Sequence, residues 1–195
     1  MLYIKTLTGP YSTNTYLVCG KSTCVVIDPS GDADVIYRAL LATEKAPAAI
    51  LLTHGHFDHI DALEALTSRS DIPVYISAAD ASMLTDPYLN AGWLIGETIS
   101  AGVKDLHTLS GGEIIAFDDM TIQVYATPGH TAGSLCYLID DAFFTGDTVF
   151  ADGYGRTDLP NARADLYAQS LMSIAPLLKT KNLYPGHGRK IILKE

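Results

Sequence analysis

One run, Leu51-Leu52-Thr53-His54-Gly55-His56-Phe57-Asp58-His59, constrains the fold of this chain more than any other. It packs three imidazoles and a carboxylate behind an apolar stretch, residues 48–52, that reads as a buried strand. A helix-like pattern follows over 60–69. A strand that ends in such a cluster presents ligands from a rigid base. Imidazole nitrogen and carboxylate oxygen suit zinc, and iron or manganese also accept them. A polar loop that is histidine-rich by accident is the competing reading, and His-rich tracts this dense usually mean metal.

The rest of the chain supplies more ligand-type groups at similar addresses. His130 follows Pro128-Gly129, Asp147 follows Gly146, and His187 follows Pro185-Gly186. Glycine lets the backbone turn sharply and approach closely where a side chain must be aimed. Each is weak alone, because a histidine after Pro-Gly is usually only a turn residue. Their repetition after strand-like segments points to one constellation: His54, His56, Asp58, His59, His130, Asp147 and His187. Seven ligands exceed the needs of one tetrahedral ion, whereas two ions sharing a carboxylate use them all and leave room for water. The same surplus argues against a closed structural site, which needs four.

The elements around these residues read as follows. Residues 2–7 form an edge strand, and Asn14–Cys19 and Thr23–Ile27 a hairpin. Residues 33–45 have helical spacing, 74–76 are a short strand and 78–84 a short helix, giving alternating strands and helices in the first half. Hairpins are expected over 113–126 and 135–145, an amphipathic helix over 164–178 and a last strand over 182–184. His107 falls in an exposed-looking turn and takes no role. Residues 86–102 mix Tyr88, Leu89, Trp93 and Leu94 with Gly92, Gly96 and Gly102. That segment is either a flap over a pocket or a loop that packs its own apolar groups. No repeat or linker divides the chain, so residues 1–195 read as a single domain.

Composition narrows the class. The 195 residues are 48% hydrophobic, enough for a real core, and the formal net charge of −9 disfavours a nucleic-acid surface. No apolar run approaches the ~20 residues that span a bilayer, and the first residues lack the apolar core of a signal peptide. The three cysteines form no CxxC pair and fit a reducing cytoplasm. Cys19 and Cys24 flank the first hairpin turn, where a disulfide is possible, but buried thiols are the favoured state.

With these residues in view the chain resembles the metallo-β-lactamase-fold hydrolases, and within them the hydroxyacylglutathione hydrolases (glyoxalase II type). The motifs Thr53-His54-Gly55-His56-Phe57-Asp58-His59, Thr127-Pro128-Gly129-His130-Thr131-Ala132-Gly133-Ser134, Phe144-Thr145-Gly146-Asp147-Thr148 and Tyr184-Pro185-Gly186-His187-Gly188 stand in that family's order. The resemblance covers essentially the whole chain. It implies an α/β (αββα) sandwich of two mixed sheets flanked by helices, with the site at one edge. It implies that His54, His56 and His130 hold one metal, that Asp58, His59 and His187 hold the other, and that Asp147 bridges them.

Two departures qualify it. Classical glyoxalase II enzymes carry a C-terminal helical domain that contacts glutathione, and this chain ends eight residues after His187. Asp147 stands where the commonest metallo-β-lactamases have cysteine, which argues against a drug-hydrolysing role. The expected activity is hydrolysis of a small thioester or ester by a hydroxide bridging two divalent ions, zinc ahead of iron or manganese, with Asp58 orienting the hydroxide. The alternative within the fold is a persulfide dioxygenase with one iron on His54, His130 and Asp147, suggested by Gly155-Arg156-Thr157-Asp158. Ser134 lacks a nucleophile-elbow pattern, so no serine mechanism is expected. Tyr154, Arg156 and Trp93 are the substrate-contact candidates. Arg156 either clamps a substrate carboxylate or pairs with Asp158 or Asp152.

Overall fold

The structure is a computed structural model and describes residues 2–117 and 119–193. The chain builds one sheet from each half. The first sheet holds β1 (Tyr3–Thr8), β2 (Asn14–Cys19), β3 (Thr23–Ile27), β4 (Ala46–Leu51), β5 (Val74–Ser77) and β6 (Leu106–Leu109), side by side in that order. Its first two pairings are antiparallel and the next three parallel. The second sheet takes β7 (Ile114–Phe117), β8 (Met120–Ala126), β9 (Leu135–Ile139), β10 (Ala142–Gly146) and β13 (Asn182–Pro185), in the order β13-β10-β9-β8-β7. Only its β10–β13 pairing is parallel. A small ribbon, β11 (Val149–Phe150) with β12 (Gly153–Tyr154), lies between β10 and the last helix.

The sequence pattern explains the layering. Strand β2 is buried at every position and reads Asn-Thr-Tyr-Leu-Val-Cys, because both its faces are covered. Strand β8 keeps Met120, Ile122 and Val124 inside while Thr121 and Gln123 face out, the period of a half-solvated strand. The two sheets meet through Tyr16, Val18, Ile27 and Leu51 on one side and Ile122, Leu135, Tyr137 and Phe144 on the other. Helices α1 (Ala33–Leu41), α2 (Phe57–Ile60) and α3 (Leu63–Thr67) cover the outer face of the first sheet through Ile36, Leu40 and Leu63. Helix α4 (Ala164–Thr180) covers the second through Ile174. This is the four-layer αββα sandwich. Among the described residues, no helix is long and apolar enough to cross a membrane.

Local chemistry sets the boundaries. Asp32 caps α1 by accepting from the Asp34 amide at 2.8 Å. The helix stops at Leu41 and does not run to residue 45, because Glu44 adopts φ +57 and turns the chain into β4. The helix expected over 60–69 instead begins at Phe57 and breaks in two, so Asp58 and His59 project from a helical turn. His107 lies in β6, an edge strand stacked on Tyr75 at 4.8 Å, and not in a turn. Cys19 and Cys24 face each other across the β2–β3 hairpin and are bonded as a disulfide, which corrects the thiol reading. The hairpin register places them directly opposite, a relation that composition alone does not reveal. Cys136 is the buried free cysteine.

Candidate metal centre

The seven ligand-type side chains converge at one end of the sandwich, where strands from both sheets stop. His54 and His56 follow β4, and Asp58 and His59 ride on α2. His130 follows β8, Asp147 follows β10 and His187 follows β13. Two cross-sheet hydrogen bonds fix the approach. The Tyr137 hydroxyl donates to the Leu52 carbonyl at 2.7 Å, and the Leu135 amide donates to the Thr53 carbonyl at 2.8 Å. The strand that delivers His54 is thereby pinned to the sheet that delivers His130.

Three overlapping groups have ligand atoms within 4.8 Å of one another: His54, His56 and His130; His54, His59 and Asp147; Asp58, His59 and His187. Asp147 stands between the outer two. One of its carboxylate oxygens lies 3.4 Å from His59 Nε2, and the other lies 3.3 Å from His187 Nε2 and 3.6 Å from His130 Nε2. The Nε2 atoms of His54 and His56 and Oδ1 of Asp147 are buried without a hydrogen-bond partner. Buried polar atoms left unpaired cost about 1–3 kcal/mol each. His54 and Asp147 fall in one of these groups, so an ion there would satisfy both of their orphaned atoms together, whereas His56 turns Nδ1, not Nε2, to His130 Nε2 at 2.9 Å.

The electrostatics divide the site in two. Burial, then the neighbouring imidazoles, push His54 well below the ordinary histidine range and His56 down to about 3. Burial also lowers His130, against the pull of Asp147. These three are neutral and ready to ligate. On the other side, burial disfavours a charged His59, but Asp58, Asp147 and Asp28 outweigh it and raise its pKa. His187 is raised to about 9 by its hydrogen bonds to Asp147 and Asp58, which overcome its burial. Burial would raise the two carboxyls, yet His59 and His187 hold Asp58 at about 2 and Asp147 well below its usual value. Protons thus occupy the Asp58–His59–His187 corner in the metal-free chain.

Supporting groups orient the ligands. Asp28, at the end of β3, accepts from the Thr53 amide at 2.8 Å and the Thr53 hydroxyl at 2.6 Å, and bonds His59 Nδ1 at 3.0 Å. Its ring nitrogen so engaged, His59 can offer only Nε2 to the centre. His130 Nδ1 donates to the Arg156 carbonyl at 2.7 Å. Thr13 donates to Asp58 at 2.8 Å. Sequence reasoning missed Asp28 and Thr13. Asp28 stands at a strand end like the ligand-type residues, but Asp-Pro-Ser-Gly looks like a plain turn.

A cavity of about 380 Å³ opens over the centre, with Tyr11, Phe57, Phe150, Arg156 and Leu159 around His56, Asp58, His130, Asp147 and His187. Arg156 lines it with its guanidinium turned to Asp158 in a two-pronged pair at 2.7 and 2.8 Å. Tyr154 belongs to an adjoining cavity of about 360 Å³ that shares Phe150 and His187 as its wall. Trp93 is 50% exposed and is not among the residues around either cavity. Its segment is held by Asn90, whose amide donates to the Met83 and Ile99 carbonyls, and only Ala91 reaches the centre's cavity. Trp93 therefore stands apart from the substrate contact read from the sequence.

The comparisons agree with this geometry. Residues 8–187 match the family model described as the Metallo-beta-lactamase superfamily. The probable metallo-hydrolase YqgX of Bacillus subtilis (strain 168) is 34% identical over 184 residues, covering 92% of this chain and 87% of that protein. The crystal structure of BLEG-1 B3 metallo-beta-lactamase superposes with a TM-score of 0.91 at 34% identity, covering 96% of this chain and 93% of that one. That of TTHA1623 in a di-iron-bound form gives 0.85 at 32% identity, with the same coverages. Strand order, converging ligands and sequence match lead to one assignment: the chain belongs to the metallo-beta-lactamase superfamily.

Proposed function

We propose that the chain is a binuclear metal-dependent hydrolase of small thioesters or esters, of the glyoxalase II type. The observation that carries this reading is the seven-residue ligand-type cluster, with His54 Nε2 and Asp147 Oδ1 buried and unpartnered within it, beneath an open cavity. His54, His56 and His130 would hold one ion, Asp58, His59 and His187 the other, with Asp147 shared. Bound there, two divalent ions polarise a carbonyl and lower the pKa of water to about 7, so hydroxide is available at neutral pH. The metals considered are zinc first, then iron or manganese.

The chain's own residues do the positioning. Thr13 donates to Oδ2 of Asp58 at 2.8 Å, which holds this carboxylate in one orientation at the cavity floor. Asp58 would orient the attacking hydroxide and take its proton as the intermediate collapses, passing it to the leaving group. Tyr11, Phe57 and Phe150 give the cavity an apolar wall that suits an acyl chain and excludes bulk water. Arg156, already paired with Asp158, is a loop-holding residue in this reading.

The test is a substrate panel on protein with defined metal content: S-lactoylglutathione, a thioester of a simpler thiol, an oxygen ester, a cephalosporin and glutathione persulfide. Thioester or ester turnover with two ions per chain is the expected result. A preference for the cephalosporin above about a hundredfold, ~2.7 kcal/mol of transition-state discrimination, defeats the thioester reading. Oxygen consumption on the persulfide with one iron per chain establishes the dioxygenase alternative instead.

A further inference from the structure

Five of the strands that end at the metal centre deliver a ligand or the carboxylate behind one. A sixth, β5, delivers a residue with no assigned role, Asp80. Asp80 is 0% exposed. A buried carboxylate costs free energy unless it is fully hydrogen-bonded, and this one is bonded to other loops only. Its Oδ2 accepts from the Thr131 hydroxyl at 2.7 Å. Its Oδ1 accepts from the Gly133 amide and from the Asn161 side chain, both at 2.8 Å. The bland explanation is a helix cap, since a short helical turn starts at Ala81. The side chain makes no capping bond to that turn.

The partners matter because of what they flank. Thr131 is the residue after His130, and Thr131 also receives the Gly129 amide on its carbonyl at 2.9 Å. Asn161 closes the loop that carries Arg156, whose carbonyl accepts from His130 Nδ1, and the Asn161 carbonyl accepts the Ala132 amide at 2.7 Å. The His130 loop is thus enclosed between Asp80 and the 155–163 loop. A side chain on Gly133 would strike the Asp80 carboxylate at 2.6 Å, so the two backbones are as close as glycine permits. The same turn touches the other side of the centre, for Gly55, between His54 and His56, abuts Met83.

We infer that Asp80 is a positioning residue for the ion held by His54, His56 and His130: it clamps the His130 loop of the second sheet to the His54–His56 loop of the first. It rests only on the metal-holding part of the proposed function. Asp80 contacts none of the Asp58–His59–His187 corner, so its influence is confined to one ion. Groups bonded directly to a metal ligand change metal affinity by about 10–100-fold when removed, and Asp80, acting one residue further out through Thr131, is expected at the lower end of that range.

The experiment titrates the metal-free chain with Zn²⁺ against a chromophoric chelator, resolving two binding steps. His130→Ala and His187→Ala identify which step belongs to which ion. Asp80→Ala and Thr131→Val are then expected to weaken the His130 step tenfold or more and to leave the His187 step within about twofold. Asp80→Asn, which keeps an acceptor for Gly133 and Asn161, recovers part of the loss. Ile174→Ala, a buried change on the far face of the second sheet, lowers the melting temperature and moves neither step. If Asp80→Ala does not fold, Thr131→Val alone decides. An unmoved His130 step, or equal weakening of both steps, overturns the inference. Wild-type protein that takes both ions but cleaves no ester or thioester defeats the proposed reaction and leaves the Asp80 assignment standing.

Discussion

Gly186 offers the sharpest perturbation, because changing it removes no ligand. A methyl group there would collide with Asp147 Oδ1, and would lie 2.8 Å from His59 Cε1 and 3.0 Å from the Gly146 carbonyl carbon. Ordinary carbon–oxygen contact is about 3.5 Å, so the carboxylate must shift by on the order of 1 Å. The backbone at Gly186 is not among the positive-φ positions, so alanine adds no torsional strain and the effect is purely steric. A displacement of 1 Å at a reacting centre costs about a hundredfold in rate, or ~2.7 kcal/mol. Overpacking a tight site costs a further ~1–3 kcal/mol of stability. The expected result for Gly186→Ala is fewer than two ions per chain, kcat/KM down about a hundredfold, and a lower melting temperature. Gly153→Ala is the control, because an added methyl group meets nothing within 4 Å. Metal analysis, steady-state kinetics and thermal melting on both variants make the measurement. Gly186→Ala with two ions and undiminished kcat/KM refutes the assignment of Asp147 to the space between the ions.

Four further outcomes follow from the same geometry. Asp147→Asn should lower the content of both ions, since one carboxylate faces both histidine groups; retention of two ions with full activity removes the bridging role. Metal uptake at pH 7 should release about two protons, because His59 and His187 are protonated in the metal-free chain and must lose their protons to ligate. Calorimetry in buffers of different ionisation enthalpy counts them, and release near zero contradicts the charge assignment. The same histidine sets a stability slope: His187 is raised from 6.5 to about 9 in the folded chain, so its contribution, at most ~3 kcal/mol, is full below pH 6.5 and lost as pH rises through 9. Denaturant melts of the metal-free chain across that window check the sign, and a flat or rising profile opposes it. Trp93→Ala should leave KM unchanged and cost less than the ~3–5 kcal/mol of a buried aromatic, because half of the ring is already in water; a raised KM would return the segment to the substrate cavity.

Legibility in the sequence tracked how local each signal was. The strand-ending residues of ligand type were visible because glycine or a histidine cluster marked them: His130, Asp147 and His187 each follow glycine. The layers were visible because β2 and β8 carry their burial in their own pattern. Asp80 was invisible because its partners Thr131, Gly133 and Asn161 lie more than fifty residues away and Ala-Ala-Asp-Ala-Ser reads as helix. Strand β6 was missed because its residues are mostly exposed and its partner β5 supplies the pairing. The break between α2 and α3 was missed because periodicity runs through it, while Asp61 leaves the helix pattern to accept the Gly31 amide at 2.7 Å. Trp93 could be read two ways for a related reason: apolar composition predicts covering, but says nothing of what is covered.

The division of the chain into one sheet per half has a consequence for assembly. His54, His56, Asp58 and His59 belong to the half that ends with β6, and His130, Asp147 and His187 to the half that begins with β7. Each ion would draw ligands from both halves, so it acts as a rivet through the seam between them. A chain cut in the 110–113 turn would yield two pieces, each one sheet with its own helices and neither with a complete set for either ion. Rejoining them buries the shared apolar face, and binding metal would then make the union tighter by mass action. Loaded with metal, the centre would therefore latch the whole sandwich as well as serve chemistry.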